Sequence, residues 1–134
     1  MGEAAITRLA ETVYEELGRS RIAPLFPEGP ALREASHKQA DFLIGILGGP
    51  PRYLERHGPP RMRARHLPFP IDESARSEWL RCFRAGLGDG SAYGLTPAQA
   101  AELMHWLEIF SAWMVNLPPQ AAAPPADPPA GRIR

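Results

Sequence analysis

Apolar positions recur at three- and four-residue spacing through most of the chain, and prolines fall between the runs. In residues 4–17, AAITRLAETVYEEL, Ile6, Leu9, Ala10, Val13, Tyr14 and Leu17 form one stripe, which predicts an amphipathic helix ended by Gly18. RIAPLFPEGP (21–30) reads as a corner with short apolar anchors. Residues 31–47 place Leu32, Ala35, Gln39, Phe42, Leu43, Ile46 and Leu47 at helical spacing, and GGPP (48–51) stops that helix. A short piece over 51–58 precedes residues 59–70, boxed by Pro59, Pro60, Pro68 and Pro70. Each proline removes a backbone donor, so helix there is limited to about two turns. Asp72 stands as the cap of a helix over 73–87, with Ala75, Trp79, Cys82, Phe83 and Leu87 inward. TPAQ (96–99) combines a capping box with proline at the first helical position. It opens a helix over 97–117 with Leu103, Leu107, Phe110, Met114 and Leu117 inward. Trp106, Ile109 and Trp113 widen that face, so this helix is expected to be the most buried.

No stretch alternates with period two, so a sheet is not expected. The fold class that follows is all-α: four substantial helices in two pairs, with a Pro-bounded irregular segment between the second and third. From Pro118, PPQAAAPPADPPAGRIR has no core-forming stripe. It is expected to be disordered or polyproline-like, leaving a domain over 1–117 and a tail over 118–134.

Composition narrows the function classes. The chain has 134 residues, 44% hydrophobic and 22% charged, values of one ordinary globular domain. Fifteen basic and fifteen acidic residues cancel, which argues against a nucleic-acid partner held by bulk charge. Only Arg61, Arg63 and Arg65 make a local basic cluster. The single Cys82 excludes an internal disulfide and a Cys-based zinc cluster, and fits a reducing compartment. No apolar run approaches the roughly 18 residues of a membrane span. The start, MGEAAITRLAE, lacks the basic and apolar regions of a signal peptide. Ile6 stands where a myristoylation site needs Ser or Thr. The expectation is a soluble, cytoplasmic protein without a membrane partner.

Three polar side chains sit on otherwise apolar faces. Tyr14 lies four residues after Ala10, Gln39 three before Phe42, and Trp79 four before Phe83. A buried amide without a partner costs about 1–3 kcal/mol, and a buried Tyr or Trp each carries a donor to satisfy. Donors from three helices directed at one core imply a cavity for a polar ligand. Singly, Tyr14 also reads as an interface tyrosine, Trp79 as plain core and Gln39 as a stripe edge. Of the four histidines, His37 lies on a polar flank, His57 precedes a glycine in a turn, and His105 lies opposite Leu103 and Leu107. His66, in RARHLPF (63–69), is either a solvated loop residue or the histidine placed for chemistry. No i, i+4 His pair, H-E-x-x-H, Walker loop, G-x-G-x-x-G or G-x-S-x-G is present, so zinc, nucleotide and serine-hydrolase chemistry is unsupported.

The run LGGPPRYLERHGPPRMRARHLPFPIDESARSEWLRCF (47–83) resembles the group II truncated haemoglobins, small two-over-two helical globins. The likeness lies in the glycine pair and proline closing the distal helix, the R-x-R-H-x-P-F-like loop and the W-L-R-C that follows. Helical order agrees across about 5–117. The resemblance implies a truncated globin sandwich and a haem b held by one axial histidine; a lone cysteine also rules out C-x-x-C-H attachment. His66 matches the proximal iron ligand. Trp79 and Tyr14 match the distal donors to bound ligand. Gln39 falls at the second distal-helix position and would add a third donor, and Ala35 falls at the first. Phe26 matches the aromatic residue of the inter-helix corner, although it lies twelve residues after Tyr14, one fewer than the family spacing. Arg63, Arg65 and the Tyr53 hydroxyl are candidates for the propionates, and Met62, Phe69 and Leu47 for packing on the macrocycle. The family's short leading helix is expected to be largely missing. The implied function is reversible binding of O2, CO and NO, with slow oxygen release. Peroxidase-like or NO-dioxygenase turnover with an external reductase is the enzymatic alternative. A haem-free helical interaction protein using the basic loop or the tail is the other.

Overall fold

The first apolar stripe folds as expected: α1 (Glu3–Gly18) buries Ile6, Leu9, Ala10, Val13, Tyr14 and Leu17. In this computed structural model, which describes residues 2–118, that face packs against α2 (Pro30–Ile46) and α5 (Glu73–Leu87). Two short helices, α3 (Arg52–His57) and α4 (Met62–His66), connect the pairs, and α6 (Pro97–Ala112) packs on α5. Single 3₁₀ turns occupy Ala23–Leu25 and Ser91–Tyr93, and no strand occurs among the described residues. The helices stack as α1 and α2 against α5 and α6, a two-over-two arrangement. Apart from Pro118, the Pro/Ala-rich tail lies outside the described residues.

Local chemistry explains the boundaries. Asp72 caps α5 by accepting from the Ala75 N–H at 2.8 Å. Thr96 and Gln99 form a reciprocal capping box at the start of α6, with Pro97 in the first turn. At the end of α2, Gly48 adopts φ +93° and lets the Gly49 N–H return to the Ile44 carbonyl at 2.9 Å. A Cβ on Gly49 would stand 2.8 Å from Ile44 Cγ2, so the second glycine of the pair is required by close packing. Gly86 serves the same purpose between layers: a Cβ there would lie 2.8 Å from Val13 Cγ2, so α1 and α5 cross at bare backbone.

Two helices depart from the expected faces. In α2 the deepest residues are Ser36, Ala40, Leu43 and Ile44, which face α1. Leu32, Ala35, Gln39, Phe42 and Ile46 are half-buried and form the flank beside that face. Phe42 reaches from this flank to Tyr53 and to Trp106 and Phe110 of α6. Leu47 is 40% exposed. Asp41 is buried on α2 because α3 covers it, Arg56 Nη1 donating at 2.7 Å and His57 Nε2 lying 3.0 Å away. His57 is therefore a packed partner of a carboxylate as well as the last residue before a turn.

The second departure is α6, which ends at Ala112 rather than 117. Beyond it the N–H groups of Asn116 and Leu117 both donate to the Ile71 carbonyl, at 2.9 and 3.1 Å, so the chain turns back across the loop ahead of α5. Its widened face is also not buried: Trp106, Ile109 and Trp113 are 37%, 53% and 66% exposed. Only one side of α6 has a layer to pack on, and Ala100, Leu103, Leu107 and Ser111 take it.

Candidate functional site

A cavity of about 260 Å³ lies between the two helix pairs, with side chains from every long helix in its wall. Tyr14 enters from α1, Gln39 from α2, Trp79 from α5 and Phe110 from α6. The corner after α1 supplies Phe26, and α4 with the loop after it supplies Met62, His66, Phe69 and Ile71.

His66 is the last residue of α4. Its Nδ1 stands 2.6 Å from the Met62 carbonyl. A carbonyl oxygen only accepts, so Nδ1 carries the proton and Nε2 is left with the ring's lone pair. That tautomer is the one a metal-binding imidazole needs, and the Nδ1 bond fixes the ring's orientation. Among the described residues, no three His, Cys, Asp or Glu side chains gather to hold a bare metal ion. A single histidine in an apolar cavity instead fits a metal whose other ligands come from a macrocycle.

The polar groups that share this cavity are donors. Tyr14 is buried and packs edge-on against Phe26, with centroids 5.8 Å apart, so the corner residue orients the phenol. Burial pushes the Tyr14 hydroxyl well above its ordinary value of 10, which keeps it an O–H donor throughout the neutral range. Trp79, half-buried, leans on Phe83 at 5.2 Å. Gln39 Nε2 is the one buried side-chain nitrogen or oxygen left without a hydrogen-bond partner among the described residues. An orphaned amide on the wall of an apolar cavity fits a group that brings a polar ligand with it.

The other nominated residues lie elsewhere. Ala35 is half-buried against the core. Leu47 borders a groove between α1, α2 and α6. Tyr53 is buried between Phe42 and His57, beneath the Arg65 guanidinium, which stands 5.7 Å from its ring centroid. Arg65 donates to the carbonyls of Pro60 at 2.6 Å and Pro59 at 3.0 Å, and Arg63 to those of Trp113 and Val115. Both arginines thus bind loop backbone. Arg76, not anticipated from the sequence, is a cation on the cavity wall. It donates to Ser111 Oγ at 2.9 Å and to the Glu108 carbonyl at 2.6 Å. Its place three residues before Trp79 on the same helix face was the available signal. Asn116, also missed, donates to the His66 carbonyl at 3.2 Å from a position where the periodic pattern still reads as helix.

Comparison with known proteins places the fold. Residues 1–116 match the bacterial-like globin family. The chain is 38% identical over 117 residues to the group 2 truncated hemoglobin YjbI of Bacillus subtilis, covering 87% of this chain and 85% of that one. Among solved structures, the group II truncated hemoglobin of Bacillus anthracis superposes with a TM-score of 0.81 at 34% identity, covering 90% of each chain. The truncated oxygen-avid haemoglobin of Bacillus subtilis superposes with a TM-score of 0.77 at 39% identity, covering 86% of this chain and 94% of that one. Matched by the family over residues 1–116 and folded as a two-over-two helical sandwich, the chain belongs to the bacterial-like globin family as a group II truncated haemoglobin.

Proposed function

We propose that the chain holds haem b without covalent attachment and binds dioxygen, carbon monoxide and nitric oxide with slow release of dioxygen. The observation that carries this reading is the unpartnered Gln39 amide on the cavity that His66, Tyr14 and Trp79 also line. Haem supplies the iron at which a diatomic ligand binds. His66 would hold the iron through the Nε2 lone pair. Tyr14, Gln39 and Trp79 offer hydrogen bonds to a ligand that carries negative charge, and the apolar wall excludes water. Hydrogen bonds to charged groups are worth about 1.5–3 kcal/mol each, and about 1.4 kcal/mol is a factor of ten. Two or three donors therefore slow dissociation by orders of magnitude, a design for retention rather than transport. The oxygen-avid description of the Bacillus subtilis relative supports the same reading. Non-covalent attachment is supported by a single cysteine, Cys82, which is buried within α5. A lone thiol also supports a cytoplasmic setting.

The spectrum of the ferric, ferrous and CO-bound protein tests the cofactor, and absence of a Soret band after haem addition overturns it. His66→Ala is expected to abolish stable haem binding. Tyr14→Phe and Trp79→Phe are each expected to raise the oxygen dissociation rate about tenfold or more. Unchanged rates in both variants would overturn the distal assignment.

A further inference from the structure

The chain beyond α6 runs back across the segment that bears His66. There the Asn116 side chain bonds three backbone groups at once, one of them the His66 carbonyl, which also accepts from the Phe69 N–H at 2.9 Å. Its Nδ2 donates to the carbonyls of His66 at 3.2 Å and Phe69 at 2.8 Å, and its Oδ1 accepts from the Ile71 N–H at 2.9 Å. Its own N–H donates to the Ile71 carbonyl at 2.9 Å. From the other side, the Arg63 guanidinium donates to the carbonyls of Trp113 and Val115. Residues 113–117 therefore form a strap over the loop, fastened at both ends of the His66 turn.

α4 cannot supply this support itself. It has five residues, far below the roughly 12–15 at which an isolated helix becomes even marginal. The loop that follows contains Pro68 and Pro70, which donate no backbone hydrogen bond. The imidazole is tied to the carbonyl of Met62, one turn back in the same short helix. Ring and helix backbone consequently move together, and whatever holds the backbone sets the position of Nε2.

We propose that Asn116 is a positioning residue for His66: its amide pins the His66 and Phe69 carbonyls and so sets where the imidazole stands against the cavity. The proposal rests on His66 being the axial ligand. Asn116→Asp and Asn116→Ala in the full chain separate its two halves. Aspartate keeps an oxygen to accept from Ile71, but it donates nothing and sets a carboxylate against two carbonyls. In the haem-free protein, amide exchange at Ile71 is expected to rise about three- to tenfold in the alanine variant and to stay unchanged in the aspartate variant. In the ferrous haem-bound protein, both variants are expected to shift the iron–histidine stretching band and to speed haem loss about tenfold. A band that stays in place while only the thermal midpoint falls makes Asn116 a structural residue and overturns the proposal. His66→Ala separates the two levels. If that variant keeps haem with an unaltered spectrum, the axial assignment itself fails. If it loses haem while both Asn116 variants keep band and haem-loss rate, the positioning role alone fails.

Discussion

Gln39, a residue of the cavity wall, buries its amide nitrogen without a partner, at a cost of about 1–3 kcal/mol that an apolar side chain of similar length does not incur. Gln39→Leu is therefore expected to stabilise the haem-free chain by about that amount in urea denaturation, and to speed oxygen release from the haem-bound protein. An unchanged midpoint would count against an unsatisfied amide. Tyr14 carries a different signature. Burial favours its neutral form, so the folded hydroxyl loses its proton above the unfolded value near 10. The stability linked to it is fully present below about pH 10, and it is lost as the pH rises further, because the unfolded chain then releases a proton that the folded chain retains. The haem-free wild type is expected to lose stability above pH 10 more steeply than Tyr14→Phe; identical alkaline profiles would overturn the burial of this phenol. These two residues and Trp79 were legible in the sequence because each breaks an apolar helical stripe. Ala35, Leu47 and Tyr53 were nominated by position, and helix rotation or a neighbouring aromatic took them away from the wall.

Elements meet through surfaces that a stripe describes only in part. Gly86 sits where α1 and α5 cross, with a Cβ position 3.2 Å from the Val13 backbone nitrogen as well as 2.8 Å from its side chain. Gly86→Ala is expected to destabilise the fold by about 1–3 kcal/mol in chemical denaturation, since backbone cannot yield as a flexible side chain would. The outer face of α6 makes the opposite case. Trp113 is 66% exposed, and Trp113→Ser is expected to leave stability within about 0.5 kcal/mol of wild type. A larger loss would restore the buried face that the apolar pattern implied. Helix starts were readable because caps act over three or four residues, as at Asp72 and Thr96. The end of α6 was not readable, because its apolar spacing continues to Leu117 while the Ile71 carbonyl draws the chain out of the helix.

At the scale of the whole molecule, the two helix pairs close around a cavity that no single element contains. A ligand that binds only the folded chain stabilises it by mass action, by about 2.7 kcal/mol at a hundred times its dissociation constant. Haem added to the haem-free wild type is expected to raise the thermal midpoint, and the same addition to His66→Ala is expected to leave it in place. A matching rise in the variant would show that burial of the macrocycle, rather than the axial bond, supplies the affinity.

Although the choice of His66 among four histidines came from the family resemblance, the sequence by itself determined the long helices, their order and their breaks, the end of α6 apart. Those follow from interactions between residues close in the chain: periodicity, capping, and the donor that each proline lacks. Only the tertiary structure decided which long side chains reach the cavity and which secure the backbone. Arg63 and Arg65 turn to carbonyls, Arg76 stands in the wall, and Asn116 crosses to hold the loop of His66. An arginine reaches several partners from one Cα, and an asparagine past a helix end has no periodic neighbour. Their choices depend on which carbonyls the packed elements leave within reach.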